Sequence, residues 1–117
     1  MAATWETVRK IALSLGEVEE TTSYGTPAFK RAGKLFVRQH EDGKSLVIAA
    51  DVDQRTELMG ADPKTYYITD HYTNYPWVLV SMARINPDAL RDLLRGAHRF
   101  AAAQKTSSKR SAPKARR

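Results

Sequence analysis

The sequence predicts a single α+β domain: an antiparallel sheet of about five strands with helices packed on one side, in the order α-β-β-β-α-β-β-α. Three observations predict it. Apolar residues recur at helical spacing near both ends of the chain, at Trp5, Val8, Ile11, Ala12 and Leu15 and again at Leu90, Leu93, Leu94, Ala97, Phe100 and Ala101. Between them lie short runs rich in β-branched and aromatic residues, such as Ser45–Ala50 and Trp77–Met82. Gly, Pro and Asp separate those runs at turn-like intervals. A chain of 117 residues is one domain by length, and 42% hydrophobic with 27% charged residues is ordinary for a globular one.

The elements follow in order. Thr4 is a good N-cap for a helix over 5–15, and Gly16 stands where a left-handed C′ residue is usual. Trp5 and Leu15 belong on its inward face. Residues 17–20 read as an acidic, solvated connector. Residues 21–30 and 34–40 read as two strands about an Ala32-Gly33 turn, with Pro27 at an edge or bulge. Together Tyr24–Arg38 form a half-buried hairpin arm with cations on its outer face. Glu41–Lys44 makes the next hairpin turn, and Ser45–Ala50 is the central strand. Asp51 or Asp53 caps a short helix over 53–60 that carries Leu58 and Met59 inward, and Asp62-Pro63 turns the chain. Lys64–Thr69 is a strand, 70–76 a polar aromatic loop and 77–82 the last strand. Asn86, Pro87 and Asp88 start the final helix with three agreeing signals. Arg91, Arg95 and Arg99 lie on its outer side, with His98 on that solvated face.

The net charge of +6 is unevenly placed. Six of the 19 cations and none of the 13 acids fall in residues 104–117, so residues 1–103 balance at 13 of each. The expected organisation is a neutral folded domain, 1–103, followed by a disordered basic tail, 104–117. The absence of cysteine excludes a disulfide framework, a thiolate metal site and a cysteine nucleophile, and it fits a cytoplasmic chain. The first ten residues hold no apolar signal segment. No apolar run approaches the ~20 residues that span a bilayer, so no membrane association is expected.

One set of residues carries a family resemblance over about residues 4–102. It comprises Trp5-x-x-Val8-Arg9 with Ala12-x-x-Leu15, Glu19-Glu20 leading to Tyr24-Gly25-x-Pro27-Ala28-Phe29, then Gly33-Lys34-x-Phe36, and finally Trp77-Val78 before a Leu-rich helix. In this order and spacing the chain resembles the MmcQ/YjbR family of small bacterial proteins. The resemblance implies a frataxin-homologue-like or secretion-chaperone-like fold with the element order read above. It also implies DNA binding, a function assigned to the family by analogy to a double-wing arrangement of hairpins. It supplies no catalytic motif.

Two functions follow as expectations. The first is a small, non-enzymatic, monomeric protein that touches DNA. Lys30, Arg31, Lys34 and Arg38 on the hairpin, with Lys109, Arg110, Arg116 and Arg117 in the tail, would meet phosphates, contacts that position a protein without reading sequence. The same hairpin cations would equally serve to solvate a sheet. The second is a module that binds a small molecule or a protein through Tyr66, His71, Tyr72, Tyr75 and Trp77, aromatic residues with polar tips. Alternate members of that run would equally fill a core. Catalysis is not expected. Three scattered histidines, at 40, 71 and 98, and no HExxH, GxSxG or Walker loop leave no constellation to carry it. No cofactor is expected, and no metal site, because the acids do not gather on a first-helix ridge.

Overall fold

In the computed structural model, residues 3–23, 25–73 and 75–108 are described. Helix α1, Trp5–Leu15, starts at Thr4, whose side chain accepts from the Thr7 amide in a reciprocal capping box. Four strands follow: β1 Glu19–Ser23, β2 Thr26–Arg31, β3 Lys34–Gln39 and β4 Ser45–Ala49. Helix α2, Val52–Ala61, is capped by the Asp51 carboxylate on the Gln54 amide. The two-residue β5, Tyr66–Tyr67, and a 3₁₀ turn, Asp70–Tyr72, lead to β6, Trp77–Ser81, and then to α3, Pro87–Ser108. The six strands pair antiparallel throughout in the order β1-β2-β3-β4-β6-β5.

The sheet thus has one strand more than expected. The segment 21–30 is not one strand but two, because the chain reverses after Ser23 through Gly25, whose φ of 79° is left-handed. Thr26 Oγ1 closes that turn onto the Ser23 carbonyl at 2.9 Å. The acidic segment at 17–20 is correspondingly half strand. Glu19 sits opposite Lys30 and Glu20 opposite Phe29, a favourable cross-strand charge pair at the sheet edge. The β5 strand is shorter than the 64–69 segment the sequence predicts, and α3 runs on to Ser108, past residue 104.

Helices α1 and α3 lie on one face. Val8, Ile11 and Ala12 meet Leu90, Leu94 and Ala97 over Phe29, Phe36, Ile48 and Val78, and Trp5 stacks on Phe29 with ring centroids 5.8 Å apart. Among the described residues, the opposite face carries no long helix. Val47 and Leu79 are instead covered by Tyr72, with Tyr67, Ile68 and Trp77 beside them. Between Phe29↔Val37 and Lys30↔Leu35 the β2–β3 register slips by one residue on β3. This bulge turns both Phe36 and Val37 into the helix-side core. It leaves Leu35 and Arg38 together on the opposite face. Without it, Arg38 would follow Phe36 inward under α3.

Candidate functional site

On the face without α1 and α3, one row of residues crosses the sheet: Arg38, Val47, Leu79 and Tyr67, each opposite the next in register. A cleft of about 590 Å³ opens over this row. Leu35, Arg38 and Val47 form its floor, Tyr72, Tyr75 and Trp77 its aromatic wall, and His40, Glu41 and Thr69 its rim. That volume lies in the range of small-molecule sites, roughly 300–1,000 Å³.

Arg38 carries the charge of the site. It is only 4% exposed. Its Nη2 donates to the Tyr72 hydroxyl at 3.0 Å, and its Nη1 to the Gln39 carbonyl at 3.2 Å and Thr26 Oγ1 at 3.4 Å. The Glu41 carboxylate pairs with Nη1 at 3.2 Å. Glu41 reaches in from the rim with 54% of its side chain exposed. Its own backbone amide, assisted by Arg38, holds its carboxyl below the usual carboxylate range.

Two polar networks set the walls. At the 40–45 turn, Asp42 Oδ1 accepts the amides of Lys44 and Ser45 at 2.8 and 3.0 Å, and Ser45 Oγ donates to Asp42 Oδ2. The Tyr67 hydroxyl completes the chain by a hydrogen bond to Ser45 Oγ. Burial works against the ionised Asp42 carboxyl, yet these donors outweigh it and lower its pKa. At the aromatic wall, Arg55 of α2 is 6% exposed and donates to four backbone carbonyls. Nη1 reaches those of Tyr72, Tyr75 and Trp77 at 3.0, 2.8 and 3.2 Å, and Nη2 that of Thr73 at 3.1 Å. The Tyr72 and Tyr75 carbonyls also accept the amides of Tyr75 and Trp77 at 3.1 and 2.8 Å, and Arg55 adds one charged donor group that ties all four carbonyls together. Arg55 therefore holds the backbone from which Tyr72, Tyr75 and Trp77 project.

The expected aromatic residues divide between the two faces. Tyr72 and Trp77 line the cleft, and Tyr75 lies at its edge, 55% exposed. Tyr66 pairs with Val80 and packs toward the helix-side core, where burial raises its phenol pKa. His71 lies in the 3₁₀ turn.

The expected basic outer face of the hairpin is corrected in the structure. Register places Arg31 and Lys34 opposite each other, and Lys30 opposite Leu35 on the other side of the sheet. Arg38 is buried at the cleft floor. Arg31 turns under α3. Its Nη1 donates to His98 Nδ1 at 3.0 Å and to the His98 carbonyl at 3.1 Å, and its Nη2 pairs with Glu17 at 2.8 Å. His98 itself, expected on a solvated face, is 8% exposed. Its Nε2 donates to the Gly16 carbonyl at 2.9 Å, and its ring meets Phe36 edge-on. It follows Leu94 by one helical turn, so it shares the face that packs on the sheet. Lys109, Arg110, Arg116 and Arg117 lie outside the described residues.

Sequence reasoning missed Arg38 as a cleft residue, Glu41 as its partner and Arg55 as the loop anchor. No local signal marks Arg55. Its helix has a weak apolar pattern, and an arginine there reads as surface. Leu58 and Met59, expected inward, are half-buried, with Leu58 against the helix-side core. Among the described residues, no group of three or more His, Asp or Glu is placed to hold a metal ion, and no helix is long and apolar enough to cross a membrane.

Comparison with known proteins gives two results. The sequence model of the YjbR family matches residues 13–100. The crystal structure of Deinococcus radiodurans protein DR2400, with a DUF419 domain, superposes with a TM-score of 0.77 at 21% identity, over 89% of this chain and 82% of that one. That similarity shows a shared fold. No curated protein matches.

Proposed function

The chain belongs to the YjbR family, and from that premise we propose that it is a small binding protein, working without catalysis, whose cleft beneath the 69–77 segment takes a small ligand. One observation carries this reading: a cleft of about 590 Å³ joins aromatic walls to a buried, positioned arginine. Ligand sites are mostly apolar concavities with a few oriented polar groups, and both components are present here. The test is a nuclear magnetic resonance screen of aromatic fragments on ¹⁵N-labelled protein. Trp77 lines the cleft, whereas Trp5 stacks on Phe29 across the sheet, so the two indole N–H signals report on opposite faces. Binders should move the Trp77 signal and spare Trp5, and Trp77→Ala should remove the binding. A broad fragment set that leaves Trp77 unmoved overturns the reading.

A second reading keeps DNA as a partner, and charge placement supports it. Residues 104–117 hold six cations and no acid beside a neutral remainder, an arrangement suited to phosphate contact. Of the hairpin cations, Arg31 and Arg38 are engaged within the fold, which shifts the expected contact toward the tail. Because α3 extends to Ser108, the informative truncation is 1–108. Fluorescence anisotropy across a salt series should show DNA binding with a salt slope for the full chain, and loss of that binding for 1–108. Retention by 1–108 would return the site to the folded domain.

A further inference from the structure

We propose that the cleft's occupant is a small planar monocarboxylic acid whose carboxylate takes the place on Arg38 now held by Glu41. The inference rests on the cleft being a ligand site and adds the chemistry of the ligand.

The charge of Arg38 sets the requirement. A guanidinium 4% exposed must be paired and hydrogen-bonded, because an isolated buried charge is strongly unfavourable. Its bonds to the Tyr72 hydroxyl and the Gln39 carbonyl hold the group in place, so an incoming anion meets a preorganised donor. The anionic partner present, Glu41, comes from an exposed rim turn. Such a half-solvated pair is weak and exchangeable. A ligand carboxylate approaching from within the cleft would meet the same guanidinium away from water, where charge-assisted hydrogen bonds are stronger.

The exchange is one carboxylate for another, so charge balances around a single guanidinium. A doubly charged phosphate would bring a surplus negative charge against Glu41. On release, the Glu41 carboxylate passes to solvent, to which its side chain is already half exposed. The body of the ligand follows from the walls. Tyr72 and Trp77 present flat rings and Val47 an apolar floor, which suits a planar apolar group. Glu41 is then a built-in competitor, and weak acids that cannot displace it are excluded.

The test uses the full chain and two probes of nearly equal shape, naphthalene-1-acetate and naphthalene-1-acetamide, followed by the two tryptophan indole signals. The acid should shift Trp77 and leave Trp5 in place, and the amide should bind at least tenfold more weakly. Glu41→Gln keeps an amide oxygen to accept from Arg38 while removing the competing charge, and with the Trp5 signal unchanged as the check on folding it should tighten binding of the acid several-fold. Equal binding of the two probes at Trp77 overturns this inference and leaves the cleft reading standing. So does a Glu41→Gln protein that binds the acid no better than the parent. If neither probe moves Trp77, this inference falls, and the broad fragment screen decides whether the cleft reading falls with it.

Discussion

The Arg55 guanidinium donates to the Tyr72 carbonyl at 3.0 Å, while the Tyr72 hydroxyl accepts from Arg38 at 3.0 Å. Tyr72 therefore bridges two buried arginines, one holding its backbone and one its side chain. Its ring packs on Val47 and Leu79 between them. The position of the aromatic wall relative to the charged floor is set by this one residue and its two partners.

Arg55 should be among the most sensitive positions in the chain. Arg55→Ala removes the charged donor shared by the carbonyls of Tyr72, Thr73, Tyr75 and Trp77, and it should destabilise the fold by about 1.5–3 kcal/mol in urea unfolding. Arg55→Lys should recover part of this, since one ammonium cannot reach all four acceptors in the guanidinium's planar fork. An Arg55→Ala protein as stable as the parent would show that the loop is held by other means.

The Ala32-Gly33 turn carries avoidable strain. Ala32 adopts φ 52° and Gly33 φ 83°, the two positive angles of a type I′ hairpin turn. Glycine adopts this conformation freely and alanine only at a cost. Ala32→Asn creates the preferred Asn-Gly pair and should raise stability by about 0.5–1 kcal/mol, read as a higher denaturation midpoint with an unchanged slope.

The acid limb of stability should involve Asp42. Its carboxyl pKa is lowered in the fold, where the Lys44 and Ser45 amides outweigh burial. A group with a lowered folded pKa stabilises above its unfolded value and loses that contribution as pH falls through the folded one. The window therefore lies below the ordinary aspartate value of about 3.9. Asp42→Asn should be less stable near neutrality and should lose less stability than the parent on acidification into that window. Parallel pH curves for the two proteins would remove Asp42 from the account.

The Arg31–His98 contact dictates a tautomer. Arginine has no acceptor, so His98 Nδ1 must accept from Arg31 while Nε2–H donates to Gly16. Long-range ¹H–¹⁵N spectra should show the neutral ring protonated at Nε2. His98→Ala should cost about 2–3 kcal/mol, because it leaves a half-buried guanidinium short of an acceptor and opens a gap beside Phe36.

Helix α1 was legible because its cap and apolar spacing are local, and α3 because Asn86, Pro87 and Asp88 signal its start independently. The aromatic segment was legible as a candidate binding region, and Tyr72 and Trp77 do line the cleft. The turn at Gly25 was missed because the threonines on both sides read as one continuous strand. The face of Arg38 was missed for another reason. A one-residue bulge beside Phe36 reverses the phase of β3, and the bulge forms because both Phe36 and Val37 find space under α3.

By itself the sequence determined the α+β class, the two long helices, the central apolar strands, the concentration of positive charge at the C-terminal end and the family. These rest on spacing, caps and composition, all of which act within a few residues. The tertiary structure decided which cations are buried, which face of the sheet is left to a loop and where the cleft opens. The contacts responsible join positions far apart in the chain, such as Arg38 with Tyr72, Arg55 with Trp77 and Arg31 with His98. An arginine's side chain ordinarily lies in solvent and enters an interior only where folding brings it acceptors, which no local pattern announces.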